Sequence, residues 1–595
     1  GGSYHSSPVS IGNMARQAKQ KLGHELIPWR LYVVVGFVLL LFCSLVARAA
    51  YIQIIEPDKL RHESDMRTLR TTSNQVQRGL ITDRNGDMLA VSVPVRAVWA
   101  DPKHAHDQDA FKDMRRWQAL ADVLQEPVDE LVRKVKNNPK KRFVYLKRQV
   151  TSAVADYIEQ LKIGGIYLKS ESRRYYPAGE TAAQLIGITN IDDVGIEGIE
   201  NTYNTWLTGT PSKQKVRKAR DGSVVERLDI VQEGESSNDL VLSIDQRIQQ
   251  LAYRELKRAT EVYQATSGSV VVIDVTTGEV LAMVNTPSYN PNARDNLQPH
   301  RMRNRALTDT FEPGSTIKPF VVAAALDAGT VKVNELISTS PGWMRIGGRQ
   351  VRDSSNYGDM TLAKILVKSS NVGISKLSLS MPVEQLLGTY QSMGLGNYTG
   401  INLTGESAGL IHDRNRWSDF ERATLSFGYG LTATPLQIAR MYATLGSGGI
   451  LYPVSILKLR QPPKGEQVIS NKVAYDVMEM LVGVTETGGT GTKAHIDGYP
   501  VAGKSGTSRK AIAGGYGDDY VALFAGVAPV HNPRLAISVV INEPKGDKYY
   551  GGDVSGPAFA KIMSGALQML NVEPISEQEA VNLATARGAQ NNVIK

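Results

Sequence analysis

The sequence predicts an α/β protein of at least two domains held behind one membrane-spanning helix, and three observations predict it. At 595 residues the chain exceeds what one ordinary core organises. Residues 31–47 (LYVVVGFVLLLFCSLVA) form an uncharged run. From about residue 58 to about 570, short β-like runs alternate with apolar helical runs.

The apolar run comes first along the chain. With flanking residues to 54 it is long enough to cross a hydrocarbon layer as a helix. Trp29 and Tyr51 sit at its ends, where amphipathic rings favour headgroups, and Arg48 would snorkel to the interface. The rival readings are a core helix and a cleaved leader, since Ala47-Arg48-Ala49 has the small-x-small pattern; the run is longer than a usual leader core. Charge does not orient it. Arg16, Lys19, Lys21 and Arg30 precede it, and Arg48, Lys59, Arg61 and Arg67 follow, which is a tie.

A formal charge of +9 is modest over this length, and both signs intermix, so nucleic acid is not an expected partner. The basic cluster at 213–220 reads first as a solvated strand or loop face, with an anionic polymer or membrane surface as the alternative. One cysteine, Cys43, excludes an intrachain disulfide framework and a Cys-rich metal site.

Residues 58–235 carry turn signals (DRNG at 83–86, PAG at 177–179) and no metal or nucleotide motif, so they read as a scaffold. After the polar stretch 232–238, LVLSI at 240–244 reads as a strand opening a new domain. Residues 269–274 and 280–284 flank Thr277-Gly278 as a hairpin. Beyond 571 the chain is polar and rich in Ala, Gln and Asn, which suggests a mobile tail. The expected organisation is a tail (1–30), an anchor helix (31–54), a scaffold domain (55–235), a larger domain (236–572) and a flexible C-terminus (573–595).

Chemistry concentrates in the larger domain. Ser315 and Lys318 form S-x-x-K within EPGSTIKPF (312–320); Ser212/Lys215 and Ser455/Lys458 match the same spacing. Pro319 separates them. It lacks an N–H and fits a helix only in the first turn, so a helix must begin near Ser315. Spacing i, i+3 then puts Ser and Lys on one face, at a helix end whose N–H groups suit an oxyanion. A lysine beside such a serine is a base only when burial and neighbouring cations depress its pKa.

S-x-N occurs at Ser236, Ser288, Ser354 and Ser369; only Ser369-Ser370-Asn371 lies between apolar helical runs, 362–367 and 372–379, while the others read as turns. The segment Lys504-Ser505-Gly506-Thr507 reads as a strand offering an ammonium, two hydroxyls and close backbone approach at the glycine. Such an edge suits a carboxylate-bearing peptide that adds to the sheet. Each motif is weak singly. Their order, S-x-x-K, S-x-N, K-[ST]-G, is the penicillin-recognising constellation.

On these motifs, and on RGLITDRNG (78–86), RYYPAGE (174–180), GIEGIE (195–200), YNPN (289–292), SFGYG (426–430) and YYGG (549–552), the chain resembles class B penicillin-binding proteins of the septal kind found in Gram-negative bacteria. The likeness runs from about residue 29 to 571. Ser505 stands where many relatives have Thr and keeps the hydroxyl.

The resemblance implies an α/β (α+β) transpeptidase fold, an antiparallel sheet flanked by helices, on an N-terminal pedestal of the dimerisation type. It implies a peptidoglycan D,D-transpeptidase of cell division that β-lactams acylate, anchored in the inner membrane at the septum with its catalytic domain in the periplasm. Ser315 would attack the stem peptide and Lys318 accept its proton; Ser369 and Asn371 would serve the leaving group and the substrate amide. Lys504, Ser505, Gly506 and Thr507 would hold the terminal carboxylate. No metal or cofactor is implied. Implied partners are peptidoglycan stem peptides, membrane lipid, the SEDS-family glycosyltransferase FtsW, and the division proteins FtsQ, FtsL, FtsB and FtsN. The alternatives are an elongation transpeptidase of the rod complex, and a non-catalytic β-lactam receptor or scaffold.

Overall fold

The computed structural model describes residues 28–51, 69–73, 76–219 and 224–592. The expected tail basics Arg16, Lys19 and Lys21, and Lys59, Arg61 and Arg67 beyond the anchor, lie outside the described residues. So does the end of the expected span, 52–54. Two units emerge, residues up to 75 with 211–235, and residues 76–210 with 236 onward.

In the first unit the anchor is a helix, Pro28–Ala50, of which Trp29–Ala50 has mean hydropathy 2.4 and no part buried against protein. Among the described residues it is the one helix long and apolar enough to cross a membrane. Its apolar side chains and Cys43 are exposed all round, which suits a lipid surrounding and not a soluble core. Strands Leu69–Ser73, Lys213–Lys218 and Val224–Gln232 form an antiparallel sheet, with Lys213 and Lys215 exposed.

The second unit begins with a scaffold sheet built around the long strand Met88–Ala100, which pairs Val144–Val150 and Ile166–Tyr175. Leu240–Val241 pairs in parallel with Ile81–Thr82. The run at 240–244 was expected to open the catalytic domain; its first two residues instead form an edge strand of the scaffold sheet. Three of the strings noted above converge here. Glu200, fully buried, accepts from Arg78 Nε at 3.2 Å, Arg174 Nε at 3.0 Å and Tyr176 OH at 2.9 Å.

The catalytic portion is built on a five-stranded antiparallel sheet of β1 (Ser267–Asp274), β2 (Val280–Thr286), β3 (Ala502–Ile512), β4 (Gly515–Ala528) and β5 (Leu535–Asn542), in the order β2-β1-β5-β4-β3. Both faces are covered, which is why SGSVVVID in β1 is apolar without alternation. One face packs on Gln246–Val262 and Gly556–Met569. The other packs on helices α1 (Lys318–Asp327), α2 (Leu362–Lys368), α3 (Asn371–Leu379), α4 (Pro435–Gly446) and α5 (Asn471–Val482). The sheet order leaves β3, which carries residues 504–507, on the edge.

The C-terminal stretch 573–595 departs from expectation. It carries a helix, Glu577–Asn592, and Arg587 Nε reaches Glu479 Oε2 of α5 at 2.9 Å. Polar composition suggested disorder, but Ala, Glu, Gln and Arg are also strong helix formers.

Candidate active site

Ser315 sits in a 3-10 turn, Gly314–Ile317, that runs directly into α1, with Pro319 in the first helical turn. Two glycines let the backbone reach this position. Gly314 has φ +57°, and its N–H donates to Gly428 O at 3.2 Å; a Cβ on Gly428 (φ +85°) would stand 2.1 Å from Gly314 O. Tyr442 OH donates to Thr316 O at 2.7 Å, which ties the turn to α4. Ser315 is half-buried while Gly314, Thr316 and Ile317 are buried.

The second motif spans the junction of α2 and α3. Ser369 caps α2 in the left-handed region at φ +57°, and Ser370 caps α3 by accepting from Gly373 N at 2.9 Å. Such a conformation is uncommon for serine and persists where surrounding bonds over-determine it. Here they do. Asp353 accepts from Ser370 Oγ at 2.6 Å and Val372 N at 3.0 Å.

The motifs meet at two amines. Lys318 Nζ lies 2.8 Å from Ser369 O, 3.0 Å from Ser369 Oγ and 2.8 Å from Asn371 Oδ1. Lys504 Nζ donates to Ser369 Oγ at 3.1 Å and to Ser505 O at 3.0 Å. On the same strand, Ser505 Oγ donates to Thr490 Oγ1 at 3.1 Å, and Thr507 Oγ1 accepts from Gly551 N at 2.9 Å. Gly506 is required by space: a Cβ there would stand 2.8 Å from Thr316 Cγ2 and 3.1 Å from Pro313 O.

Both lysines are fully buried. Burial, reinforced by the Lys504 charge and opposed by Asp353, lowers the Lys318 amine well below the usual lysine range. Burial brings Lys504 down to about 7. An amine whose pKa is depressed in this way gives up its charge more readily than a surface lysine, and is the better acceptor of a hydroxyl proton.

Within the same unit, the hydroxyls and the amine of three other motif matches have partners of their own. Ser455 Oγ donates to Leu457 O and Lys458 Nζ to Arg84 O; Ser288 Oγ donates to Glu180 O, and Ser354 Oγ pairs with Tyr357 OH. Sequence reasoning missed Asp353 and Thr490. Asp353 abuts the Ser354 match that was set aside as a turn, and an acid beside a motif-like string was the available signal. Thr490 lies among glycines with no such signal.

A serine-bearing turn packed against the edge strand of an antiparallel sheet, with two buried amines sharing one hydroxyl, defines the class of serine penicillin-recognising enzymes. Residues 268–564 match the penicillin binding protein transpeptidase domain and residues 73–242 the penicillin-binding protein dimerisation domain. The chain is 50% identical over 557 residues to peptidoglycan D,D-transpeptidase FtsI of Escherichia coli, covering 93% of this chain and 94% of that protein. Among solved structures, a peptidoglycan synthetase from Bifidobacterium adolescentis is 27% identical with TM-score 0.68, covering 85% of this chain and 98% of that one. The transpeptidase domain of Burkholderia pseudomallei penicillin-binding protein 3 is 40% identical with TM-score 0.53, covering 56% and 98%. The chain belongs to the FtsI family of class B penicillin-binding proteins, serine-type peptidoglycan D,D-transpeptidases.

Proposed function

We propose that this chain cross-links stem peptides of septal peptidoglycan during bacterial cell division, through an acyl-enzyme on Ser315. The observation that carries the reading is the approach of Lys318 and Lys504 Nζ to the Ser369 hydroxyl, at 3.0 and 3.1 Å. A neutral Lys318 amine has two hydrogens, and Ser369 O and Asn371 Oδ1 accept them at 2.8 Å each. Its lone pair is left for a hydroxyl proton.

Ser315 Oγ attacks the penultimate D-Ala carbonyl, and its proton passes to Lys318. The backbone N–H groups of Ser315 and Thr507 stabilise the oxyanion. Ser369, bridging the two amines, passes a proton to the departing D-Ala nitrogen as the C–N bond breaks, and Asn371 orients the substrate amide. Lys504, Ser505, Gly506 and Thr507 hold the terminal carboxylate as the peptide lies along β3. The amine of a second stem peptide then attacks the ester and frees Ser315. β-Lactams acylate the same hydroxyl.

The pedestal (55–235) presents the transpeptidase domain (236–572) in the periplasm, and the single-pass helix holds both at the inner membrane of the septum. FtsW is the glycan-polymerising partner, with FtsQ, FtsL, FtsB and FtsN in the same assembly. Family membership and the exposed apolar helix support this placement. The test is cross-linking of nascent glycan by wild type and Ser315→Ala beside the partner polymerase. Cross-links from wild type alone are expected; equal cross-linking by the two ends the reading.

A further inference from the structure

A cavity of 540 Å³ lies against the sheet on the side of α4, whose Pro435 lines it, and none of residues 315, 318, 369, 371 or 504–507 lines it. One wall is sheet, including Ser269, Ser508, Val521 and Val540; the facing wall includes Arg305 and Phe311. It adjoins both halves of the active site. Glu312 in its wall leads through Pro313 and Gly314 into Ser315, and Ser508 follows Thr507. A Cβ on Gly314 would stand 3.6 Å from Ser508 Cβ, so the nucleophile turn and the substrate strand meet there.

Four cations line the cavity, Arg303, Arg305, Arg509 and Lys510, against three acids, Asp309, Glu312 and Glu543, and Arg509 also pairs with Asp518 at 3.5 Å. The acids already hold donors. Asp309 pairs with Arg303 at 2.9 Å and Arg305 at 3.2 Å, and Glu543 with Lys510 at 2.7 Å. Glu312 accepts from Gly430 N at 3.2 Å and Tyr516 OH at 3.1 Å.

Among the described residues, two donors in its wall remain without acceptors, the Ser508 hydroxyl, in a residue 1% exposed, and Arg305 Nε. A buried donor left unpaired is costly, and a carboxylate supplies acceptors for both. Phe311, Val521 and Val540 leave room beside it for a small apolar body.

We propose that this cavity is a second carboxylate site, taking a short peptide acid with a small apolar C-terminal side chain. The choice of acid rests on the cross-linking reading: an uncross-linked stem ends in this chemistry, and the released D-alanine shares its carboxylate. A peptide held between Ser508 and Arg305 braces the Ser315 turn against β3, which couples acylation to the supply of uncross-linked peptide.

The test uses the full chain in nanodiscs with Ser315 first acylated to completion by benzylpenicillin, so that the catalytic groove is filled. N-acetyl-D-alanyl-D-alanine, its C-terminal amide and D-alanine are titrated by calorimetry. Saturable binding of the dipeptide acid is expected, with about tenfold weaker binding for the amide and for the acid in Ser508→Val and in Arg305→Lys. Complete acylation of each variant certifies its fold. Preference for D-alanine over the dipeptide acid assigns the released amino acid as occupant of the same site. No saturable binding to the acylated wild type, equal binding of the amide, or unchanged binding in either variant overturns the proposal. Failure of the wild type to acylate would instead strike the cross-linking reading.

Discussion

Lys318 and Lys504, 186 positions apart in sequence, place their amines 3.0 and 3.1 Å from one hydroxyl, that of Ser369. Two ammonium ions so close in a buried site repel, so the arrangement favours one neutral amine and one cation. Burial depresses both; the Lys504 charge depresses Lys318 further.

The proposed division of labour implies a pH profile. If Lys318 accepts the Ser315 proton as a free amine, acylation should fall as pH drops through its depressed pKa. If Lys504 holds the substrate carboxylate as a cation, capture of an anionic β-lactam by free enzyme should fall as pH rises through about 7. In Lys504→Arg the charge persists at all working pH, and the alkaline limb should vanish from the second-order acylation constant measured from pH 5 to 10. An alkaline limb unchanged in that variant would contradict the assignment.

Asp353 offers a second handle. Its carboxylate receives Ser370 Oγ at 2.6 Å and Val372 N at 3.0 Å, and its charge holds the Lys318 pKa up. Asp353→Asn weakens both bonds and removes that charge. Acylation should slow about tenfold, and the acid limb of the profile should move to lower pH. A slower enzyme with an unmoved acid limb would mean that Asp353 acts on geometry alone.

Much of this site was legible in the sequence. Pro319 set the helix start, and the apolar flanks of Ser369 marked the one S-x-N held between helices. Glycine at 506 pointed to close backbone approach. What the sequence hid were groups joined only through space. Asp353 lies in a polar loop, and Arg78 and Arg174 stand 122 and 26 positions from Glu200 with no shared periodicity. The helix Glu577–Asn592 was hidden for another reason, since composition cannot tell a polar docked helix from a polar tail.

Gly428 tests the tightness of the Ser315 turn. Its φ of +85° and the 2.1 Å approach of a Cβ to Gly314 O leave no room for a side chain, and the obstacle is backbone. Gly428→Ala should lose at least about 2 kcal/mol of domain stability, seen as a lower urea midpoint. In the folded fraction, penicillin should acylate Ser315 more slowly because Gly314 is displaced. Normal acylation at wild-type stability would show that the turn relaxes freely.

Glu200 carries the last prediction. Its carboxylate is fully buried with Arg78 Nε at 3.2 Å, Arg174 Nε at 3.0 Å and Tyr176 OH at 2.9 Å. The replacement Glu200→Gln keeps the shape, but it strands two buried guanidinium groups. The cost should be about 3–5 kcal/mol, because removing one partner leaves uncompensated charge behind. The side-chain hydrogen bonds of Arg78, Arg174 and Tyr176 run to residues between 79 and 208, so at temperatures where the variant is folded, penicillin should acylate it at the wild-type rate. Calorimetric unfolding and acylation kinetics on one preparation separate the two effects. A variant as stable as wild type would mean that water or a neighbouring acid takes over the neutralisation, and a slowed acylation rate would mean that the cluster reaches the catalytic turn.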